Sequence, residues 1–258
     1  MKVAKHIVEA RREKLSRLLE QHRYLSVPEL CAQLGISEAT ARRDLTALSL
    51  AERITRTHGG ALPELEHTFT PLQQRSRVAR AAKARIAASA YAYLQEGMVC
   101  YLDGGTTMLA LAQHLRKNPL SGLTVLTNNL AAAELLAKVD ELDVRLLGGR
   151  WLKRQSLLIG PEALHAIAAW KIDTAFFSAQ GMDASGLWNT QQDIITHQHA
   201  VMAKSTRSMF CIDAAKLNQH PGLLLDNWAN VPLIITDATR AQLTNALVPF
   251  SRTRFLLV

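Results

Sequence analysis

Cysteine is scarce in this 258-residue sequence, and the three cysteines lie far apart. Cys31, Cys100 and Cys211 form no C-x-x-C pair and lack the spacing of metal ligands. Because each lies in an apolar segment, we expect buried and reduced thiols. The pattern argues against a disulfide framework, and we predict neither a bound metal nor a cofactor.

Long apolar runs are also missing. No stretch approaches the roughly 18 apolar residues that a membrane-spanning helix needs. The opening residues, MKVAKHIVEARREKL, are charged throughout, so we expect no secretory signal. These absences predict a cytoplasmic protein that has no membrane partner.

The remaining composition is that of an ordinary globular protein, with 48% hydrophobic and 20% charged residues. At roughly 150 residues per domain, this length suggests two domains. The formal net charge is +8, and residues 1–60 hold 11 Lys and Arg against 7 Asp and Glu. A basic surplus favours a polyanionic partner, because cations near phosphates release condensed counterions.

The first 60 residues predict a series of short helices followed by a hairpin. Residues 10–21 are amphipathic, and Ser26 with Glu29 forms a capping box that opens a second helix. Gly35 supplies a tight turn before a third helix over 38–50. Residues 52–60 alternate β-branched with basic residues and end on Gly-Gly, which predicts a hairpin. This order is typical of a winged helix-turn-helix.

The third helix has one apolar and one polar face. Ala41, Leu45 and Leu48 recur at helical spacing and define a buried stripe. The opposite face and its flanks carry Ala39, Thr40, Arg42, Arg43 and Thr46. Small residues let a helix enter a DNA groove, and arginines bind guanine edges or phosphate. For an isolated Arg-Arg pair, a solvated face is the more ordinary interpretation.

The second half predicts an α/β domain with a mainly parallel sheet. We expect the DNA-reading domain to span 1–61, a linker 62–75 and the α/β domain 76–258, with a helix from Gln73 to Leu94. From Met98, apolar β-rich runs alternate with helical stretches. The runs are 98–102, 123–127, 143–147, 174–179, 209–212 and 232–236.

Small and polar residues follow these strands, where ligands bind in α/β sheets. The first strand ends in Asp103, Gly104, Gly105, Thr106 and Thr107 and leads into a helix. Glycines allow close backbone approach, hydroxyls donate, and a helix N-terminus favours an anion, so this turn predicts a phosphate cradle. Taken alone, the turn is more typical of an ordinary capped turn than of a phosphate site, and it is neither a Walker loop nor a dinucleotide fingerprint.

Further strand ends carry the same kind of residue. They are Asn128-Asn129, Gly148-Gly149-Arg150, Gly181-Met182-Asp183 and Asp213-Ala214-Ala215-Lys216. We expect Arg150 and Lys216 to neutralise a phosphate. Asp103, Asn128 and Asp183 are candidates for binding sugar hydroxyls. Together these clusters predict a binding site for a small phosphorylated metabolite.

Residues 11–61 resemble the DNA-binding domain of DeoR-type bacterial regulators. The resemblance rests on S-x-x-T-x-R-R-D-L, beginning at Ser37, and on H-G-G-A, beginning at His58. It implies that Ser37, Thr40, Arg42 and Arg43 lie in the major groove, with Arg56 and His58 in the wing near the DNA backbone. We expect Asp44 to orient an arginine rather than to contact a base. A solvated wing residue is an equal alternative for His58.

The second half resembles the sensor domain of the same family, whose fold is similar to ribose-5-phosphate isomerase. The matching segments are LDGGTTMLALAQHL, LTNN, LLGG, LIGPEAL, D-T-A-F-F…G-M-D and IDAAK. The resemblance implies a double-stranded DNA operator, a sugar-phosphate effector that releases the protein from it, and a homodimer or homotetramer. The stretch 189–193 lacks the family's acidic pair, and Gln198 stands where a lysine is frequent.

We therefore predict a repressor of carbohydrate-metabolism genes that is not an enzyme. The alternative is a sugar-phosphate isomerase-like enzyme with a DNA-binding appendage. Isomerases of this fold carry Asp-Gly-x-Asp where this sequence has Gln180 to Asp183, and an amide cannot act as the base. An architectural DNA-binding protein is the third option.

Overall fold

The computed structural model describes residues 5–22, 25–50, 54–56, 60–63, 72–249 and 255–258. The chain divides into two compact units, Met1–Thr70 and Pro71–Val258. Within the described ranges, every helix is too short or too polar to cross a lipid bilayer.

The first unit combines helices with a small antiparallel sheet. Its elements are α1 (Lys5–His22), β1 (Leu25–Ser26), α2 (Val27–Leu34), α3 (Glu38–Leu50), β2 (Ile54–Arg56) and β3 (Gly60–Pro63). The strand order is β1-β3-β2, and β2 pairs with β3 as a hairpin. The predicted helices and hairpin are confirmed, although β3 extends to Pro63, two residues into the segment predicted as linker.

Local sequence signals set the ends of α2. The backbone N–H of Ser26 donates to Glu29 Oε2 at 2.7 Å, and the Glu29 N–H donates back to Ser26 Oγ at 3.4 Å. Gly35 ends the helix with φ of 63°, a left-handed conformation that glycine adopts without a steric penalty. The predicted capping box and glycine turn are therefore both present.

The core of the first unit holds α3 by the predicted stripe. Ala41 and Leu45 are fully buried and Leu48 is nearly so. They pack with Leu15 and Leu30 in one apolar cluster. Burying a leucine side chain stabilises a fold by about 1.5–3 kcal/mol, so this stripe fixes which face of α3 remains exposed.

The second unit is built around a seven-stranded parallel sheet. Its strands are β4 (Val99–Leu102), β5 (Leu123–Thr127), β6 (Leu142–Leu146), β9 (Ile172–Phe177), β12 (Ser205–Cys211), β14 (Leu233–Thr236) and β15 (Phe255–Leu257). Their order is β15-β14-β12-β9-β4-β5-β6, and every pairing is parallel. The predicted runs correspond to six of these strands, while β15 was not predicted.

Helices and two smaller sheets complete the second unit. The helices are α4 (Leu72–Arg77), α5 (Arg80–Tyr91), α6 (Thr106–Lys117), α7 (Leu130–Leu136), α8 (Pro161–Ala168), α9 (Gln192–Met202) and α10 (Arg240–Asn245), with a 3-10 turn at Ala214–Lys216. The pair β7 (Arg150–Leu152) and β8 (Leu157–Ile159) forms a hairpin. Strands β10 (Gly181–Met182), β11 (Gly186–Asn189) and β13 (Leu223–Asn227) form a separate sheet.

Both faces of the parallel sheet are buried. Consecutive residues alternate between two cores, as Phe176 joins one cluster and Phe177 the other. Ile86 of α5 and Leu111 of α6 pack on one face, and Ile195 of α9 on the opposite face. A sheet covered on both sides needs continuous apolar strands, which explains why the strand runs were visible in the sequence.

The predicted single helix from Gln73 to Leu94 is wrong, because the chain breaks it after Arg77. Ala79 has a φ of 50°, in the left-handed region. The Lys83 ammonium donates to the carbonyl of Val78 and, at 3.4 Å, to that of Arg75. The Arg75 carbonyl also accepts from the Val78 N–H, so the lysine adds a second donor there and supplies one to the Val78 carbonyl where the helix breaks.

Candidate nucleic-acid interface and ligand pocket

The exposed face of α3 presents the residues predicted to read DNA. Ser37, Arg42 and Arg43 are exposed, and Thr40 is half-buried. Ser37 Oγ lies 3.0 Å from Thr40 Oγ1 and also accepts from the Thr40 N–H, which caps the helix. Arg42 pairs loosely with Glu38 at 3.4 Å, and Arg43 forms no ion pair with any described residue. Both guanidinium groups are therefore accessible to a partner.

Asp44 anchors the same helix from its buried side. It is 2% exposed, and its carboxylate accepts from Arg11 Nε at 2.5 Å and Arg12 Nε at 2.9 Å. Burial opposes ionisation, but the two arginine hydrogen bonds outweigh it and hold the pKa of Asp44 below its ordinary value. The expectation that Asp44 pairs with an arginine is confirmed, and the arginines belong to α1.

The wing is described only in part. Arg56 lies at the end of β2, where its backbone pairs with Ala61 of β3. His58 lies outside the described residues, so its predicted place near the DNA backbone stays a prediction.

A pocket of about 180 Å³ lies at the carboxyl ends of the central strands. Four of the predicted ligand residues line it, namely Gly105, Thr106, Thr107 and Lys216. Thr106 and Thr107 form the first turn of α6, where free backbone N–H groups and the helix dipole favour an anion. Three residues of the Gly-Gly-Thr-Thr turn therefore line this pocket, and its role as a phosphate cradle stays a prediction.

The pocket is cationic. Arg75, Lys83 and Lys216 line it together with one described carboxylate, that of Asp213. Lys83 Nζ lies 3.6 Å from Asp213 Oδ2, and Lys216 Nζ donates to Gln180 Oε1 at 3.3 Å. Burial lowers the pKa of Arg75 to about 10 and also lowers that of Lys216. Crowded, partly desolvated cations bind an anion strongly, because it relieves their mutual repulsion.

Asp103 lies behind the pocket wall in a buried network. Its Oδ2 accepts from Gln198 Nε2 at 2.6 Å and from the Ser178 N–H at 3.3 Å, and its Oδ1 accepts from the Tyr101 hydroxyl at 3.3 Å. Burial raises the pKa of Asp103 to about 6, because these neutral donors offset only part of the desolvation. Burial also lowers the pKa of His197, whose Nε2 lies 3.0 Å from the Tyr101 oxygen, to about 4.

Gln198 places the unusual 189–198 stretch beside this network. Its Nε2 also donates to the Ser178 carbonyl at 2.8 Å, and its Oε1 accepts from Asn189 Nδ2 at 3.0 Å. Every polar group of this amide is thus used within the protein. The amide orients the Asp103 carboxylate but brings no positive charge to it.

The two glycines of the turn are constrained in different ways. A Cβ on Gly104 would lie 2.4 Å from Leu157 Cδ2, in the β7–β8 hairpin. Gly105 has a φ of 98°, which side-chain-bearing residues rarely adopt. The hairpin therefore lies directly against the strand-end turn.

The two asparagines after β5 have different surroundings. Asn129 caps α7, accepting from the Ala132 N–H at 3.2 Å, and donates to the Gly105 carbonyl at 3.3 Å. Asn128 is 1% exposed, and neither its Nδ2 nor its Oδ1 has a partner among the described residues. An unsatisfied buried amide costs about 1–3 kcal/mol, so Asn128 remains a candidate for a ligand contact.

Eight of the twelve predicted residues do not line the pocket. Four of them, Asp103, Gly104, Asn128 and Asn129, belong to the turns that follow β4 and β5, and the other four belong to other parts of the unit. Gly149 and Arg150 line a separate open groove with Asp193, to which Arg150 is paired at 3.3 Å, and Gly148 is exposed beside it. Asp183 forms a turn by accepting from the N–H groups of Ser185 and Gly186. Gly148 and Gly149 follow β6, the edge strand of the parallel sheet, and not one of its central strands. Arg150 begins β7 and Asp183 follows β10, and neither of these strands belongs to the parallel sheet.

Arg75 and Lys83 were missed by the sequence analysis. Both lie before β4, the first strand of the second unit, in a segment that the sequence pattern predicted to be a linker and an uninterrupted helix. The clustering of basic residues between Arg75 and Arg85 was the available signal. The described part of the chain contains no group of three or more metal-ligating side chains placed around a common point.

Family models match both units of the chain. Residues 11–64 match the family model described as the DeoR-like helix-turn-helix domain, and residues 78–238 match the DeoR C terminal sensor domain. The L-fucose operon activator of Escherichia coli is 29% identical over 93% of this chain and 98% of its own length. The glycerol-3-phosphate regulon repressor of the same organism is 29% identical over 86% of this chain and 87% of its own.

Among solved structures, the chain is similar to ribose 5-phosphate isomerase A from Methanocaldococcus jannaschii. The TM-score is 0.38 at 17% identity, over 54% of each chain.

The fold and the matched domains define a DNA-binding transcription regulator with an N-terminal winged helix-turn-helix and an α/β sensor domain, rather than an enzyme. The chain belongs to the DeoR family. Its partner is therefore operator DNA, and the resemblance that the sequence indicated is confirmed.

Proposed function

We propose that this protein is a cytoplasmic repressor of carbohydrate-metabolism genes, and that a small phosphorylated sugar releases it from its operator. The observation that carries the effector assignment is the pocket in which Arg75, Lys83 and Lys216 surround the first turn of α6. One relative is named as a glycerol-3-phosphate regulon repressor, which supports the choice of a phosphorylated effector. Another is named as an activator, so repression itself needs a direct test.

On this proposal α3 lies in the major groove, with Ser37, Thr40, Arg42 and Arg43 toward the DNA. Arg56 and His58 of the wing contact the backbone. The α1–α3 ion pairs of Asp44 support this assignment, because they hold the recognition helix rigidly while its arginines stay exposed. A homodimer or homotetramer presents two such helices to repeated half-sites.

Arg43→Ala tests the DNA assignment. If Arg43 contacts a base, operator affinity falls by about 1–3 kcal/mol, or roughly 5- to 150-fold. The measurement is fluorescence anisotropy with a DNA site recovered by in vitro selection with the full chain. Arg116→Ala is the matched control, since Arg116 is an exposed arginine on α6 of the second unit. Equal affinities for both variants would remove Arg43 from the interface.

The phosphate of the effector is placed at the N-terminus of α6. The hydroxyls of Thr106 and Thr107 donate to it, while Arg75, Lys83 and Lys216 neutralise its charge. Asn128, with its unpartnered amide, and Asp103 are the candidates for contacts to sugar hydroxyls. Gly104 and Gly105 let the ligand approach the backbone, and Asn129 holds this turn to α7.

Release follows if the effector prefers one arrangement of the oligomer. A ligand shifts the equilibrium between two arrangements of the oligomer only by the difference between its affinities for them. The effector must therefore bind more tightly to an arrangement in which the two copies of α3 no longer match the spacing of the half-sites. Coupling free energies between such sites are typically about 1–3 kcal/mol.

A thermal-shift screen with pentose, hexose and triose phosphates tests the pocket. We expect at least one sugar phosphate to raise the Tm of the wild type and to leave the Tm of Lys216→Gln nearly unchanged. The unphosphorylated sugars serve as ligand controls. If the free sugars stabilise the protein as well as their phosphates do, the cationic pocket does not bind a phosphate and the effector assignment fails.

A further inference from the structure

A second cationic cavity lies beside the 180 Å³ pocket that Arg75, Thr106 and Lys216 line, which we call the strand-end pocket. This basic groove, of about 410 Å³, runs between the α4–α5 segment and α6. Its basic lining residues are Arg77, Arg80, Lys83, His114 and Lys117. Among the described residues that line it there is no carboxylate.

Three cations of the basic groove have no ion-pair partner among the residues that the structure describes. Arg77, Arg80 and Lys117 form no ion pair within the described ranges, and Lys83 pairs with Asp213, which lies in the neighbouring pocket and not in the groove. Like charges held at one concavity repel each other, and a bound anion removes that repulsion. The groove is therefore electrostatically prepared for an anionic ligand.

The shape of the groove distinguishes it from an ordinary solvated helix face. Its cations come from three helices: Arg77 ends α4, Arg80 opens α5 and Lys117 ends α6. Leu109 and Ala110 line it between them, together with the Gln113 amide. An apolar wall flanked by cations suits a carbon chain that carries a phosphate.

The basic groove and the strand-end pocket are adjacent. Lys83 and Thr106 line both of them. Lys83 is 5% exposed, so it forms part of a fixed wall between the two cavities. A ligand that occupied both cavities would therefore lie against these two residues.

We propose that the basic groove binds a second phosphate of the effector, so that the preferred ligands are sugar bisphosphates. This inference rests on the proposed function, because it assigns the first phosphate to the strand-end pocket. The second phosphate contacts Arg80 and Lys117, while the carbon chain passes Lys83 and Thr106.

The experiment compares matched monophosphates and bisphosphates by isothermal titration calorimetry on the full chain. The pairs are fructose 6-phosphate with fructose 1,6-bisphosphate, ribulose 5-phosphate with ribulose 1,5-bisphosphate, and 3-phosphoglycerate with 2,3-bisphosphoglycerate. We expect one bisphosphate to bind at least about tenfold more tightly than its monophosphate, as two charge-assisted contacts allow. In Arg80→Gln/Lys117→Gln this ratio falls to within about twofold, while the affinity of the monophosphate is unchanged.

Arg116→Gln/Lys138→Gln is the control, because it removes the same charge from exposed positions outside the groove. Equal binding within every pair, or a preference that survives in the groove variant, overturns the inference and leaves the proposed function intact. If no phosphate ester binds, both are overturned. Weaker operator binding by the ligand-free groove variant, but not by the control, overturns the inference in favour of a contact with the DNA backbone.

Discussion

Replacing Asp103 by asparagine is expected to stabilise the second unit at neutral pH. The carboxyl group is buried, its hydrogen-bond donors are neutral, and its pKa is raised to about 6. In the unfolded chain the same group titrates near 3.8. Between these values the folded protein holds a proton that the unfolded chain has lost, so stability falls as the pH rises from about 4 to about 6 and stays low above it.

The raised pKa of Asp103 sets how much the carboxylate destabilises the folded protein. Roughly two pKa units at about 1.4 kcal/mol each amount to about 3 kcal/mol of destabilisation at pH 7.5. Asparagine keeps an oxygen for Gln198 and Ser178, and its amide can donate to the Tyr101 oxygen. Imperfect replacement of one hydrogen bond costs about 1 kcal/mol. The net gain expected for Asp103→Asn at pH 7.5 is therefore about 2 kcal/mol.

Urea unfolding followed by tryptophan fluorescence measures this gain. All four tryptophans lie between positions 151 and 228, so the signal reports on the second unit alone. The advantage of Asp103→Asn over the wild type should be largest at pH 7.5 and absent or reversed at pH 4. A variant that is less stable than the wild type by the same amount at both pH values would refute the buried, destabilised carboxylate.

Two further substitutions test the packing of each site. Asp44→Ala leaves Arg11 and Arg12 without their buried partner, so the free energy of unfolding of the first unit should fall by about 1–3 kcal/mol. The loss should be seen as faster amide hydrogen exchange in α1 and α3. Unchanged exchange would argue against the ion pairs. Gly104→Ala places a Cβ against Leu157, which displaces the β7–β8 hairpin and distorts the turn, so effector binding measured by calorimetry should weaken by at least about tenfold. A second substitution in the same chain, Leu157→Ala, should restore binding. Failure of this rescue would point to another cause.

Local patterns made the DNA-reading unit predictable. The stripe of Ala41, Leu45 and Leu48 lies within two turns of one helix, so its helical spacing alone identifies the buried and exposed faces. The Ser26 capping box and Gly35 act over three or four residues. None of these features depends on how distant parts of the chain pack.

The ligand pocket is formed by segments that are far apart in the sequence, so the sequence predicted only some of its lining residues. Thr106 and Lys216 were found because they follow strands of the parallel sheet. Asp183 was misplaced because its short strand β10 belongs to a different sheet, which a local apolar run does not reveal. Arg75 and Lys83 were missed because an alanine, which has no turn preference, breaks the helix at position 79.

The most direct test of the account is operator release by an effector in wild type and Lys216→Gln. The experiment follows fluorescence anisotropy of a selected operator while the sugar phosphate found by thermal shift is titrated. Without ligand, the wild type and Lys216→Gln should bind the operator with equal affinity. The sugar phosphate should release the wild type, and release of Lys216→Gln should need a ligand concentration at least about tenfold higher. Release of both proteins at the same ligand concentration would contradict the claim that the strand-end pocket controls DNA binding.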